Sequence, residues 1–187
     1  MSLRAALAVL ATRFDAQREH LNRLDAATGD GDHGTTMARG MSAAATAMQS
    51  LAATANDRAL LQAAGNAFLS AAGGASGALF GSLLLEFSAH DDWATRLERG
   101  ADRIARVGKA RPGDKSMLDA LLPAGGAFRH GGFAAAAAAA SEGAAATIPM
   151  AAQRGRARYI ENGGAGYIDP GAVSIALMME VMRENCA

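Results

Sequence analysis

Aromatic residues make up only 5% of these 187 residues, cysteine occurs once, proline four times, and neither sign of charge prevails. Few aromatics and no stretch of alternating β-branched residues leave no material for a β-sheet. The single thiol, Cys186, has no partner in its own chain, which removes a disulfide framework and suits a reducing cytoplasm. Lysine plus arginine equals aspartate plus glutamate at 18 each, so no excess charge draws the chain to nucleic acid or an anionic membrane. No long apolar run occurs either. The opening Met1-Ser2-Leu3-Arg4 lacks the apolar block of a secretory signal, and the alanine run from Ala134 to Ala140 is too weakly apolar for a membrane span. A soluble, cytoplasmic, single domain over residues 1–187 is expected, with a small molecule or a protein as its partner.

What is abundant is alanine and leucine at helical spacing. Leu3, Leu7, Leu10, Phe14, Leu21 and Leu24 predict one long first helix with only the Gln17 slot polar. Further helices are predicted from His33 to about Ala52, Asp57 to Ser70, Ser76 to Ala89, and over a fifth that turns Trp93, Leu97, Ile104 and Val107 inward. The sixth starts at Asp114 as N-cap and is kinked by Pro123, the seventh covers about Phe133 to Ala151, and the eighth begins at Pro170. The fold class is therefore all-α, with eight helices.

The connections between these helices differ in character. Those after the second, fourth and sixth are short and bland. Those after the first, third, fifth and seventh are rich in glycine, aspartate and serine: Asp25 to Asp32, Ala71 to Ala75, Gly108 to Gly113, and Gln153 to Asp169. Short loops make consecutive helices antiparallel, so all four odd-numbered loops fall at one end of the bundle.

The strongest local signal is Leu24-Asp25-Ala26-Ala27-Thr28-Gly29-Asp30-Gly31-Asp32-His33-Gly34. Three carboxylates so close together repel unless a cation lies between them. Hard oxygen ligands select Mg²⁺, Ca²⁺ or Mn²⁺ and disfavour zinc. Turn and N-cap roles account for one Asp-Gly pair more simply than for the whole group. A calcium hand is set aside because no glutamate follows at the required spacing. A magnesium ion with few protein ligands shares its coordination with phosphate oxygens.

Gly73-Gly74-Ala75-Ser76-Gly77, just ahead of a helix, suits that phosphate through backbone N–H groups, the helix dipole and the Ser76 hydroxyl. Gly113-Asp114-Lys115-Ser116 resembles the end of a P-loop but lacks the preceding glycine spacing and strand. Asp169 reads as an N-cap and also as a ribose or phosphate contact, Arg156 reads equally as a phosphate contact or a solvated side chain, and His33 reads as a nucleotide contact ahead of a proton carrier.

At these residues the sequence resembles the L subunit, or C-terminal L domain, of dihydroxyacetone kinases. The matching blocks are LDAATGDGDHG, GGASGALFG, GDKSMLDALLPA, GRARY and DPGA, in the family's order from about residue 24 to 172. The resemblance implies an antiparallel up-and-down barrel of eight helices with Mg-ADP or Mg-ATP at one end. It implies metal ligands Asp25, Asp30 and Asp32 holding two magnesium ions. Nucleotide contacts would be His33, Gly34, Thr35, Thr36, Ala75, Ser76, Gly108, Met117, Arg156, Asp169, Pro170 and Gly171, with Met117 in the adenine pocket. Departures are Thr36, where the family often has asparagine, the pair Tyr167-Ile168, and shorter stretches between the fourth and fifth helices and after the sixth.

The family's covalent ketone-binding histidine belongs to a separate K subunit, so this chain is expected to be inactive alone. The expected function is phosphoryl transfer from the magnesium nucleotide to a ketose held by that partner. The phosphoryl supply is either ATP or a phosphotransferase-system protein acting on tightly held ADP. A non-catalytic nucleotide sensor and, less fittingly, a metal-dependent phosphohydrolase are the rival readings.

Overall fold

The computed structural model describes residues 2–186, and every described regular element is helical. Eight α-helices follow in order: α1 (Leu3–Ala16), α2 (Arg18–Ala26), α3 (His33–Gln49), α4 (Asp57–Ala71), α5 (Gly74–Ser88), α6 (Trp93–Gly108), α7 (Leu118–Ala146) and α8 (Pro170–Cys186). Two short 3₁₀ turns, Ala157–Tyr159 and Glu161–Gly164, interrupt the last long connection. Local chemistry sets several starts. The side chains of Ser2, Asn56 and Asp92 accept from the N–H groups of Ala5, Ala59 and Thr95, which caps α1, α4 and α6.

Neighbours in sequence pack side by side, and α1 closes the ring against α8, giving the antiparallel up-and-down barrel. Its centre is apolar: Phe14, Phe68 and Phe80 stack edge to face or tilted at 5.3–5.7 Å, beside Met37, Met41 and Leu10. Phe87, Trp93, Phe133 and Phe128 form a second aromatic chain across α5, α6 and α7.

Four local expectations need correction. The first helix is two, because the backbone leaves the helical path at Gln17 (φ −93°, ψ 3°). This bend lets α2 lean onto α3, so closely that a Cβ on Gly34 would sit 2.0 Å from the carbonyl oxygen of Arg18. Pro123 does not break its helix. It lies near the start of α7, and the carbonyl its missing N–H abandons, that of Asp119, abuts Gly143 instead. The reversal in α7 comes at Gly131 and Gly132, whose backbone at φ −148° and φ 59° folds the second limb back along the first. Those two limbs are the predicted sixth and seventh helices.

Asp114 is not an N-cap, since α7 starts four residues later at Leu118. The Asp114 carboxylate accepts from the N–H of Arg111 and pairs with Arg154. Val107 points to the rim and is 42% exposed, not into the core.

Candidate nucleotide and metal site

The connections 27–32, 72–73, 109–117 and 147–169 all lie at the same end of the barrel, where they enclose one cavity of about 390 Å³. Residues from four distant parts of the sequence line it, as the alternation of antiparallel helices requires.

The acidic loop builds one wall. Asp25, in the last turn of α2, accepts from the backbone N–H groups of Asp32 (3.0 Å) and His33 (3.2 Å) through one carboxylate oxygen, and so caps α3 from a distance. Its other oxygen faces Gly29, where a Cβ would come within 2.4 Å, so the turn closes only around glycine. Asp32 sits at the N-cap position but its side chain makes no capping bond. Asp25, Asp30 and Asp32 each offer a carboxylate oxygen, and the three lie within 4.8 Å of one another. Arg156 donates to Asp30 and ties the 147–169 segment to the acidic loop.

Opposite, α5 begins at Gly74 with Gly73 as its N-cap and no side chain across its end, so its first N–H groups open toward the cavity. Ser76 lies in that first turn and bonds His33, which is almost wholly buried: Nδ1 is 3.0 Å from Ser76 Oγ and Nε2 is 2.7 Å from Ser174 Oγ. Burial, partly offset by the nearby Asp25 carboxylate, lowers the His33 pKa to about 4, so its ring is neutral at pH 7. Leu79, Ile104, Ala110 and Met117 make an apolar slot deeper along α5 and α6. Met117 and Gly171 touch, and a Cβ on Gly171 would be 3.4 Å from that of Met117.

As read from the sequence, Asp169 caps α8, accepting from Ala172 at 2.7 Å; its own N–H donates to Thr147 Oγ1. Burial raises its pKa to about 7, opposed by the bond from Ala172 and by Lys115. Lys115 is 3% exposed and adopts a left-handed backbone (φ 60°). Its Nζ donates to the carbonyls of Thr147 and Tyr167 and so fastens both ends of the 147–169 segment.

Of the residues singled out from sequence, Asp25, Asp30, Asp32, His33, Thr36, Ala75, Ser76, Gly108, Met117, Arg156, Asp169, Pro170 and Gly171 all line the cavity. Gly34 and Thr35 do not. Gly34 packs on α2, and Thr35 exchanges hydrogen bonds with the Asn22 side chain. Sequence reasoning missed Thr28, Lys115 and Ser174. The signal for Ser174 was present, since it is a polar residue on the Ile175 and Met178 face of α8 and a buried hydroxyl there needs a partner.

Residues 27–184 match the DAK2 domain family. The chain is 33% identical to the PEP-dependent dihydroxyacetone kinase, ADP-binding subunit DhaL, of Escherichia coli K12, over 90% of this chain and 89% of that one. It is 38% identical to the D-erythrulose kinase of Mycolicibacterium smegmatis, over 97% of this chain but only 36% of that one. Among solved structures, the C. freundii dihydroxyacetone kinase in complex with AMP-PNP and Mg²⁺ superposes with a TM-score of 0.82 at 26% identity, covering 97% of this chain and 33% of that chain. The chain thus spans about a third of these two longer kinases and nearly the whole of the bacterial subunit.

Proposed function

The chain belongs to the DAK2 domain family, and from that membership and the geometry of the rim we propose that it is the nucleotide-binding, phosphoryl-transfer subunit of a ketose kinase of the dihydroxyacetone type. One observation carries the reading: three clustered carboxylates, an open helix N-terminus and an apolar slot face one another across a single cavity. That is the arrangement a nucleotide's phosphates and base need when a divalent cation joins protein to phosphate.

The donor set fits magnesium. All six carboxylate oxygens are hard donors; one Asp25 oxygen is taken by backbone N–H groups and one Asp30 oxygen by Arg156, which leaves four for up to two ions. Bound magnesium would neutralise charge on the terminal phosphates as the phosphoryl group passes to a substrate hydroxyl.

The chain's own residues would do the rest. N–H groups at the start of α5 and the Ser76 hydroxyl would hold phosphate oxygens. Arg156 would reach phosphate from its place beside Asp30. Leu79, Ile104 and Met117 would pack the base, and Thr36 and Asp169 would meet the ribose or phosphates. His33, bonded at both ring nitrogens, and Lys115, held by two carbonyls, are engaged within the fold, so a K-type partner would present the acceptor at the open rim. The cytoplasm, where a lone thiol such as Cys186 stays reduced, is the compartment we assign.

Mixing the protein with a K-type subunit, dihydroxyacetone and ATP, or with a phosphotransferase-system donor in place of ATP, should yield the phosphate ester. Free phosphate alone, or binding without turnover, would contradict the proposal. Mass analysis of nucleotide released from the purified protein identifies the phosphoryl supply, retained ADP marking the phosphotransferase-coupled form.

A further inference from the structure

Ser174 lies one turn into α8 and is completely buried beside Ile175 and Met178. Three other buried hydroxyls in the barrel return their hydrogen to their own helix: Ser82 donates to the Leu79 carbonyl, Ser88 to Leu85 and Thr147 to Ala144. Ser174 does not. Among the described residues its hydroxyl has one partner, His33 Nε2 at 2.7 Å. An O–H hydrogen sealed from water and left without an acceptor is costly, so that hydrogen points at Nε2.

The consequence passes through the ring. A nitrogen that accepts from Ser174 carries no proton, and a neutral imidazole then has its single N–H on Nδ1. Nδ1 is 3.0 Å from Ser76 Oγ, which must accept. Ser76 is therefore left with its own hydroxyl hydrogen to place, and it stands in the first turn of α5, on the cavity wall.

We infer that Ser174 is a positioning residue: by donating to His33 Nε2 it fixes the Nδ1–H tautomer, which turns Ser76 into an acceptor toward the ring and a donor toward an anion in the cavity. The relay runs Ser174 to His33 to Ser76 and joins α8, α3 and α5. Its last step, that the anion is a nucleotide phosphate, rests on the function proposed above; the tautomer does not.

The test is a long-range proton–nitrogen NMR correlation on the full chain labelled with ¹⁵N-histidine, near pH 7 without nucleotide, with a His33→Gln variant to assign the signal. Wild type should show His33 protonated at Nδ1. Ser174→Ala should remove the bias and let the two forms mix, and Ser174→Thr, which keeps the hydroxyl, should restore Nδ1. A wild-type ring protonated at Nε2 overturns the inference whether or not nucleotide binds. In ADP titrations with Mg²⁺, Ser174→Ala should weaken affinity about fivefold, the scale of one hydrogen bond. The double variant Ser76→Ala, Ser174→Ala should be no weaker than Ser76→Ala alone, and additive losses would contradict the relay. Should wild type take up no nucleotide, the proposed function fails while the tautomer result stands.

Discussion

Asp25 and Asp32 share one acidic loop but have opposite structural duties, and this makes them separable. Asp25 accepts the N–H groups of Asp32 and His33 at 3.0 and 3.2 Å, so Asp25→Ala uncaps α3. Losing a cap costs about 0.5–2 kcal/mol, and losing a carboxylate from a helix N-terminus about 0.3–1 kcal/mol more. Both substitutions remove one of three mutually repelling carboxylates whose oxygens lie within 4.8 Å, two pair repulsions worth about 2 kcal/mol at high dielectric before salt screening, a relief common to the two variants. Asp32 makes no capping bond but also stands at the α3 N-terminus, so Asp32→Ala gains the same relief, loses the same charge–dipole attraction, and is spared only the loss of the cap. Without metal, the two variants should then differ by about 1 kcal/mol, with Asp25→Ala the less stable. For a chain of 187 residues this is about 3 °C in melting temperature. Thermal unfolding followed by far-UV circular dichroism in EDTA measures it. Equal melting temperatures, or Asp32→Ala melting first, would refute the capping role of Asp25.

Gly34→Ala should cost about 3 kcal/mol in urea unfolding, because its Cβ would meet the Arg18 carbonyl at 2.0 Å, whereas Gly126→Ala, with nothing within 4 Å, should stabilise by about 0.5–1 kcal/mol. Lys115→Met strands two carbonyls and removes the cation beside Asp169; a loss of about 3 kcal/mol and faster tryptic cutting at Arg154, Arg156 or Arg158 are expected. His33 and Asp169 should give opposite pH dependences. The His33 pKa falls from 6.5 to about 4 on folding, so its contribution is lost as pH drops below 6.5, about 2 kcal/mol by pH 5. The Asp169 pKa rises to about 7, so its contribution is present at acid pH and lost as pH climbs through 7, again about 2 kcal/mol between pH 5 and 7. Acidification from pH 7 to 5 should therefore destabilise Asp169→Asn relative to wild type and stabilise His33→Gln relative to wild type. Unfolding curves with parallel pH slopes for the three proteins would contradict both assignments.

The barrel and the cavity at one end of it were legible because the helices alternate in direction: four loops rich in glycine, aspartate and serine could only meet at one end. The cap at Asp169 was legible for the same local reason that misled at Asp114, whereas the cap at Asp92 was not read from the sequence. An aspartate ahead of an apolar run is a good cap, but Asp114 is drawn instead to the Arg111 N–H and Arg154. The break at Gln17 was hidden because Phe14 and Leu21, on either side, are both buried and keep the apolar period intact. At Pro123, the sixth residue of α7, the backbone dihedrals stay helical, while the non-helical backbone that carries the reversal falls at Gly131 and Gly132. Lys115 stands in the GDKSMLDALLPA block, but nothing in that block signals its role as an anchor. Its role arises from carbonyls 32 and 52 residues away, which no local pattern encodes.

Calorimetric titration of ADP into wild type and Asp32→Ala, each with Mg²⁺ and with EDTA, bears most directly on the proposal that clustered carboxylates hold nucleotide through a divalent cation. Wild type should bind strongly only with Mg²⁺, and Asp32→Ala, though fully folded, should lose that metal-dependent gain. Equal ADP binding by wild type in Mg²⁺ and in EDTA, or an unchanged metal response in Asp32→Ala, would contradict it.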